Sequence, residues 1–147
     1  MAMKLKFCWI GRTKMAPIAA LTRDYVERLG RYLPVETHEF KTEASFLESL
    51  ARERTRPVTI LLDAHGRQFG SEAFAEFLRR HQDGATATLL FAIGPADGWS
   101  PAARAAAGAI LSLGPMTLPH ELARVVLAEQ LYRGFTILAG HPYHTGH

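Results

Sequence analysis

Apolar positions change their spacing repeatedly along this chain, and each change marks a new element. Residues 4–10 alternate weakly and end at Gly11, which predicts a first strand. Over 16–32, Ile18, Leu21, Tyr25, Val26 and Leu29 recur at helical spacing until Gly30 and Pro34 stop them. Residues 35–40 read as a short second strand, and 43–54 as an amphipathic helix with Phe46, Leu47 and Leu50 inward. The apolar run Val58-Thr59-Ile60-Leu61-Leu62-Asp63 suits a strand buried on both faces. Phe74, Phe77 and Leu78 predict a helix over 71–81 with Ser71 as its cap. A buried strand over 88–93 follows and ends at Gly94. Ser100-Pro101 then supplies a cap and a first-turn proline for a short Ala-rich helix. Residues 109–113 form a last strand, and 121–138 the longest helix. Strand and helix alternate throughout, so the class is α/β with a mostly parallel sheet flanked by helices.

The last helix is unusual. Glu121, Glu129, Arg133 and Thr136 gather on one side, yet Leu122, Val125, Val126, Tyr132 and Ile137 share it. Ala123, Leu127, Ala128, Leu131, Phe135 and Leu138 occupy the rest. A helix apolar all round needs cover on two sides. One small domain offers one, so a second copy is the expected cover and a homodimer the expected assembly.

Composition narrows the class. The 147 residues suit one domain spanning 1–147, and 48% hydrophobic residues make a packed core affordable. No apolar run is long enough to span a membrane. The start has no secretory pattern, with Met3 the expected natural first residue. Cys8 is the single cysteine, expected as a small core residue rather than a catalytic thiol. These features point to the cytoplasm. The net charge of +3 permits an anionic partner without demanding one. Arg12, Lys14, Arg23, Arg28 and Arg31 crowd the first quarter, as either a solvated face or an RNA footprint.

Several chemistries drop out on motif grounds. The chain has no phosphate-binding P-loop and no dinucleotide-binding glycine fingerprint. His120-Glu121-Leu122-Ala123-Arg124 imitates a zinc-protease helix, but Arg124 stands where the second histidine belongs. Ser100 lies outside any nucleophile elbow. His141, His144 and His147 are spaced for a metal, but Pro142 and Gly146 interrupt them, and no metal is expected. Asp63 and His65 sit at a strand end, where ligands gather in α/β sheets, and leave acid–base chemistry open.

The informative feature is three glycine-containing loops at strand ends: Leu62-Asp63-Ala64-His65-Gly66, Ile93-Gly94-Pro95-Ala96-Asp97-Gly98, and Leu113-Gly114-Pro115-Met116-Thr117-Leu118-Pro119-His120. They are either ordinary strand-to-helix turns or a cradle that lets backbone approach a ligand. Their apolar flanks, with no phosphate signature, suit an adenine and a thioether chain better than a triphosphate.

Ile93-Gly94-Pro95-Ala96-Asp97-Gly98, Met116-Thr117-Leu118-Pro119-His120, the run from Arg124 to Arg133, and the ending Pro142-Tyr143-His144 occur in one order. With weaker matches from Met3-Lys4-Leu5 through Gly11-Arg12-Thr13-Lys14-Met15, the whole chain resembles one family. That family comprises the small SPOUT methyltransferases that act on N3 of a pseudouridine in 23S ribosomal RNA, in the helix 69 loop. The resemblance implies a SPOUT fold with a C-terminal trefoil knot, which the pattern of positions does not itself encode. It also implies a homodimer acting on the large subunit or assembled ribosome, with S-adenosyl-L-methionine as cofactor. Matching positions place the cofactor against Leu62, Gly94, Leu113, Gly114, Pro115, Met116, Thr117 and Leu118. Two prolines depart from the usual pattern: Pro95 stands where a second glycine is usual, and neither it nor Pro115 has an N–H to donate. The region 40–57 is shorter than is usual in the family.

Methyl transfer to an imide nitrogen needs the reactants positioned and a proton removed. The resemblance directs catalysis to His144, Tyr143 and Arg124. Histidine is the residue type that accepts a proton near neutrality, tyrosine can stack on a base, and arginine can hold an anion. Plainer roles stay open: an ion pair involving Arg124 and Glu129, and a frayed end for Tyr143 and His144. Arg12, Lys14 and Arg133 are the expected RNA contacts, with a partner subunit completing each pocket. Two rivals remain, a catalytically inactive RNA-binding or ribosome-assembly module of the same fold, and a small-molecule hydrolase using Asp63 and His65.

Overall fold

The computed structural model describes residues 3–145. Five strands, β1 (Lys4–Ile10), β2 (Val35–Phe40), β3 (Val58–Gln68), β4 (Thr88–Ile93) and β5 (Ala109–Ser112), form one sheet in the order β2-β1-β4-β3-β5. Every pairing is parallel. Helices α1 (Ala16–Leu29), α2 (Glu43–Arg52), α3 (Ser71–Asp83), α4 (Pro101–Ala106) and α5 (His120–Ala139) connect and cover the strands, and Pro142–His144 adds a short 3-10 turn.

Alternation along the strands divides the core in two. Leu5 and Phe7 of β1, Ile60 and Leu62 of β3, and Leu89, Phe91 and Ile93 of β4 face one side, with Leu29, Leu78, Leu127, Leu131 and Phe135 packed over them. Cys8, Ile10, Leu61, Leu90 and Ala92 face the other side, beneath Phe46, Leu50, Trp99 and Ala103. The central strands therefore bury both faces, as their near-continuous apolar runs require. Burial also pushes the Cys8 thiol up to about 12, the behaviour of a core residue and not of a nucleophile.

Some boundaries shift for physical reasons. Helix α1 stops at Leu29, because Gly30, Arg31 and Tyr32 close a tight turn onto Val26, Arg28 and Leu29. Helix α2 ends at Arg52, and its start is fixed by a reciprocal bond pair between Thr42 and Ser45. Gly70, not Ser71, occupies the cap position of α3; the Ser71 hydroxyl is spent on Gln130 at 3.0 Å. Strand β5 ends one residue early, at Ser112, whose hydroxyl closes a turn on the Gly114 main chain. Strand β3 continues to Gln68 because its pairing with β5 slips: Leu62 and Arg67 both face Leu111, so 63–66 bulge out. Gly66 makes this possible, since a side-chain carbon there would lie 2.7 Å from the Leu111 main chain.

Helix α5 is covered by its own chain more fully than its pattern implies. Helices α1 and α3 flank it, and Arg124, Leu127, Ala128, Leu131, Tyr132, Gly134, Phe135 and Thr136 are buried. Gly134 allows the close approach to α3: a side-chain carbon would meet Leu78 at 2.7 Å. On α5 itself the exposed large apolar residue is Leu122, at 41%; Met15 before α1, Leu21 on α1 and Met116 in the loop before α5 are also exposed.

Candidate active site

The three loops predicted from glycine spacing converge on one cleft of about 780 Å³ beyond the carboxyl ends of β3, β4 and β5. That volume lies in the range of small-molecule sites, and the position is the one open α/β sheets use for ligands. Leu62, Gly94, Leu113, Gly114, Met116, Thr117 and Leu118 all line it. Pro115 sits exposed in the same loop but is not part of the lining.

Local chemistry sets the cleft's shape. The Trp99 indole donates to the Leu62 carbonyl at 3.0 Å, tying the loop after β4 to the end of β3. Gly94 lies directly against that ring, and a side-chain carbon would be 2.7 Å from it. Gly94 thus serves the tryptophan first and any ligand second. Pro95 fits its place, because its carbonyl accepts from the Gly98 N–H at 2.9 Å to close the turn, and its missing N–H is not called on. Gly98 and Gly114 adopt left-handed backbone, at φ +89° and +142°. Trp99 carried no motif and escaped sequence reasoning; its one signal was an aromatic two residues before a helix start.

Asp63 lines the cleft with its side chain largely buried. The His65 main-chain N–H donates to it at 2.8 Å and the Arg104 guanidinium pairs with it. The His65 hydrogen bond and then Arg104 hold its carboxyl below the usual range. A carboxylate so stabilised is a weak base, which counts against the hydrolase alternative.

The structure places the remaining candidates in two other groups. Arg124 is 1% exposed. It donates to the Thr13 hydroxyl at 2.6 Å and the Gly11 carbonyl at 3.2 Å, and it lies over the Trp9 ring at 5.4 Å. Burial lowers its pKa. Of the ion pair left open for Arg124 and Glu129, the intrahelical form is absent; Arg133, one turn beyond Glu129 on α5, takes that carboxylate at 2.7 Å. Arg12 and Lys14 are exposed beside the segment that Arg124 holds.

Tyr143 and His144 form the third group, and they are docked rather than frayed. Tyr143 donates to Glu129 at 2.8 Å, packs edge-on against Tyr132 and lies under the Arg133 guanidinium at 5.2 Å. Burial, followed by hydrogen bonds to Tyr25 and Glu129, raises its pKa. His144 Nδ1 is 3.5 Å from Arg133, and its Nε2 is 3.8 Å from Glu72. Ala123 on the cleft wall and Arg133 are ten positions apart on α5, roughly 15 Å along its axis. Within one chain, the C-terminal turn and the cleft are therefore separate. His147 of the spaced histidines lies outside the described residues, among which no group of three or more potential ligands could hold a metal.

Comparison with known proteins follows the same outline. Residues 3–144 match the family model described as "Predicted SPOUT methyltransferase". A protein of Koribacter versatilis named ribosomal RNA large subunit methyltransferase H is 53% identical over 146 residues, covering 99% of this chain and all of that protein. A protein of the same name from Trichlorobacter lovleyi is 40% identical over 152 residues, covering 97% and 99%. Among solved structures, the SpoU methyltransferase AviRb of Streptomyces viridochromogenes, in complex with AdoMet, shares the fold. Its TM-score is 0.54 at 15% identity, over 90% of this chain and 58% of that one. By family model and by full-length identity, this chain belongs to the SPOUT methyltransferases and groups with the ribosomal RNA large subunit methyltransferase H proteins.

Proposed function

We propose that the protein is a single-domain, S-adenosyl-L-methionine-dependent methyltransferase acting on N3 of a pseudouridine in 23S ribosomal RNA. The observation that carries this reading is the convergence of three strand-end loops on one cleft, in a chain 53% identical to a large-subunit ribosomal RNA methyltransferase. The cleft suits the cofactor. Leu62, Ile93, Leu113, Leu118 and Ala123 offer apolar walls, the loops offer main-chain groups, and Asp63 offers a carboxylate to a cationic ligand. Bound there, the cofactor supplies an activated methyl group. The residues of the chain orient the base, exclude water and take up the imide proton.

His144 is the proposed proton acceptor, with Tyr143 against the base and Arg133 near its phosphate. Because these groups lie along α5 from their own chain's cleft, the reading assigns them to the cleft of a second copy. The exposed Leu122 at the start of α5 and the exposed Met15, whose N–H is bonded to Glu121 of that same turn, support such a homodimer. Arg124 acts from beneath the 11–15 segment and not on substrate directly. The substrate is the helix 69 loop in the large subunit or assembled ribosome, the compartment the cytoplasm, and the path of the chain after β4 the family's trefoil knot. No helix among the described residues is long and apolar enough to cross a membrane.

Ribosomes from a strain lacking the gene, incubated with purified protein and labelled cofactor, should gain one methyl group on a 23S pseudouridine, located by mass spectrometry. Absence of cofactor binding at millimolar concentration would instead favour an inactive RNA-binding module. Deleting residues 143–147 should abolish transfer while cofactor affinity stays within about twofold.

A further inference from the structure

The segment 11–15 joins β1 to α1, and side chains from distant elements hold it. Glu39 on β2 accepts from the Thr13 N–H and the Thr13 hydroxyl, each at 3.2 Å, while also accepting from the Trp9 indole at 2.8 Å. Glu121 on α5 accepts from the Lys14 N–H at 2.9 Å and the Met15 N–H at 3.1 Å, both on one oxygen. Arg124 grips the same segment from below through Thr13 and Gly11. Gly11 turns the chain at φ +97°, a conformation that favours glycine.

This arrangement is costly for a plain connection. Glu121 is 8% exposed, and a charge withdrawn from water must be compensated by its partners. The Met15 and Lys14 hydrogen bonds lower its pKa, and the Trp9 and Thr13 bonds lower that of Glu39. What the network leaves outside is informative: the Arg12 and Lys14 side chains are exposed while their backbone is fixed. Glu121 also stands between His120 and Ala123, both in the wall of the cofactor cleft. One turn of α5 therefore shapes the cleft and holds the basic segment.

We infer that Glu121 and Glu39 are positioning residues for the polynucleotide substrate, fixing the 11–15 segment so that Arg12 and Lys14 meet a phosphate-bearing strand beside the cofactor cleft. The inference rests on the reading of the protein as an RNA methyltransferase. Preordering the backbone removes an entropy cost that a loose loop would meet on binding. The two cations then act at a set distance from the cleft.

The test is a mutant cycle on the full-length protein. Glu121→Gln and Glu39→Gln should raise KM for ribosomes about tenfold and about threefold, with kcat and cofactor affinity within about twofold. The slope of log affinity against log salt should fall by roughly one to two for Glu121→Gln, as for Arg12→Ala/Lys14→Ala, because the same phosphate contacts are lost. In the Arg12→Ala/Lys14→Ala background, Glu121→Gln should add almost nothing. Additive losses, an unchanged salt slope, or a fall confined to kcat or cofactor affinity would overturn the inference. Calorimetry with S-adenosylmethionine reports that each variant is folded. Failure of the wild-type protein to methylate ribosomes would sink the functional reading instead, and the binding cycle separates that result from this one.

Discussion

The strand-end cleft and the 11–15 segment both meet the first turn of α5, and they are built by different means. The cleft is shaped by main chain and steric fit: bulged residues 63–66, a tryptophan seated on Gly94, and left-handed glycines. The basic segment is held by charge, through two carboxylates and one buried guanidinium. The first design fixes the pocket's shape by packing, with the Asp63–Arg104 pair as its charged element. The second gives a surface whose order depends on ionisation. Under the proposed function, a small cofactor and a large polyanion make different demands, and the two regions meet them separately.

That contrast can be broken experimentally. The largest effect is expected from Gly94→Val, which drives methyl groups into Trp99. Cofactor affinity should fall more than tenfold and stability by about 1–3 kcal/mol, read by calorimetry and thermal melting. Protease resistance of the 11–15 segment should survive in the folded fraction. A variant that keeps wild-type cofactor affinity would show that Trp99 does not shape the pocket.

Trp99→Phe keeps most of the ring but removes the donor to the buried Leu62 carbonyl. It should cost about 1–2 kcal/mol in denaturant titrations, with a smaller loss of cofactor affinity than Gly94→Val. An equal loss would mean that the indole hydrogen bond, and not the packing, holds the cleft open.

Acid should separate the regions more gently. Glu39 and Glu121 have lowered folded-state pKa values, so their stabilisation is present above the ordinary carboxylate range and fades as pH falls through the lowered values. Asp63 in the cleft follows the same sign. Protection of the Thr13, Lys14 and Met15 amides against hydrogen exchange should therefore fall below about pH 4, before the protein unfolds as a whole. In Asp63→Asn, the acid limb of cofactor binding should flatten while the exchange profile of the 11–15 amides stays unchanged. Coincident loss of both regions in one cooperative step would remove the distinction.

Much of the frame was legible in the sequence because it is local. Strand alternation, helical spacing and the Ser100-Pro101 start each depend on neighbours a few positions away. The three ligand loops were legible for the same reason, since glycines after buried strands are a short-range signal. Trp99, Glu39 and Glu121 were not, because their roles exist only across the fold. Lys14 and Glu121 are 107 positions apart, and no periodicity connects them. Ser71 misled for a related reason: it has a capping side chain, but Gln130 on another helix claims it.

Local pattern was enough for an α/β layering, for strands buried on both faces of a parallel sheet, and for three glycine loops at strand ends. Hydrophobic burial acts through period and needs no partner to be identified. Tertiary structure decided which loops share one cleft, that Gly94 answers to Trp99, that Arg124 is buried beneath a loop, and that the C-terminal turn docks away from its own cleft. Hydrogen bonds and ion pairs need atoms within about 3 Å in the right direction, and only the folded chain brings such atoms together.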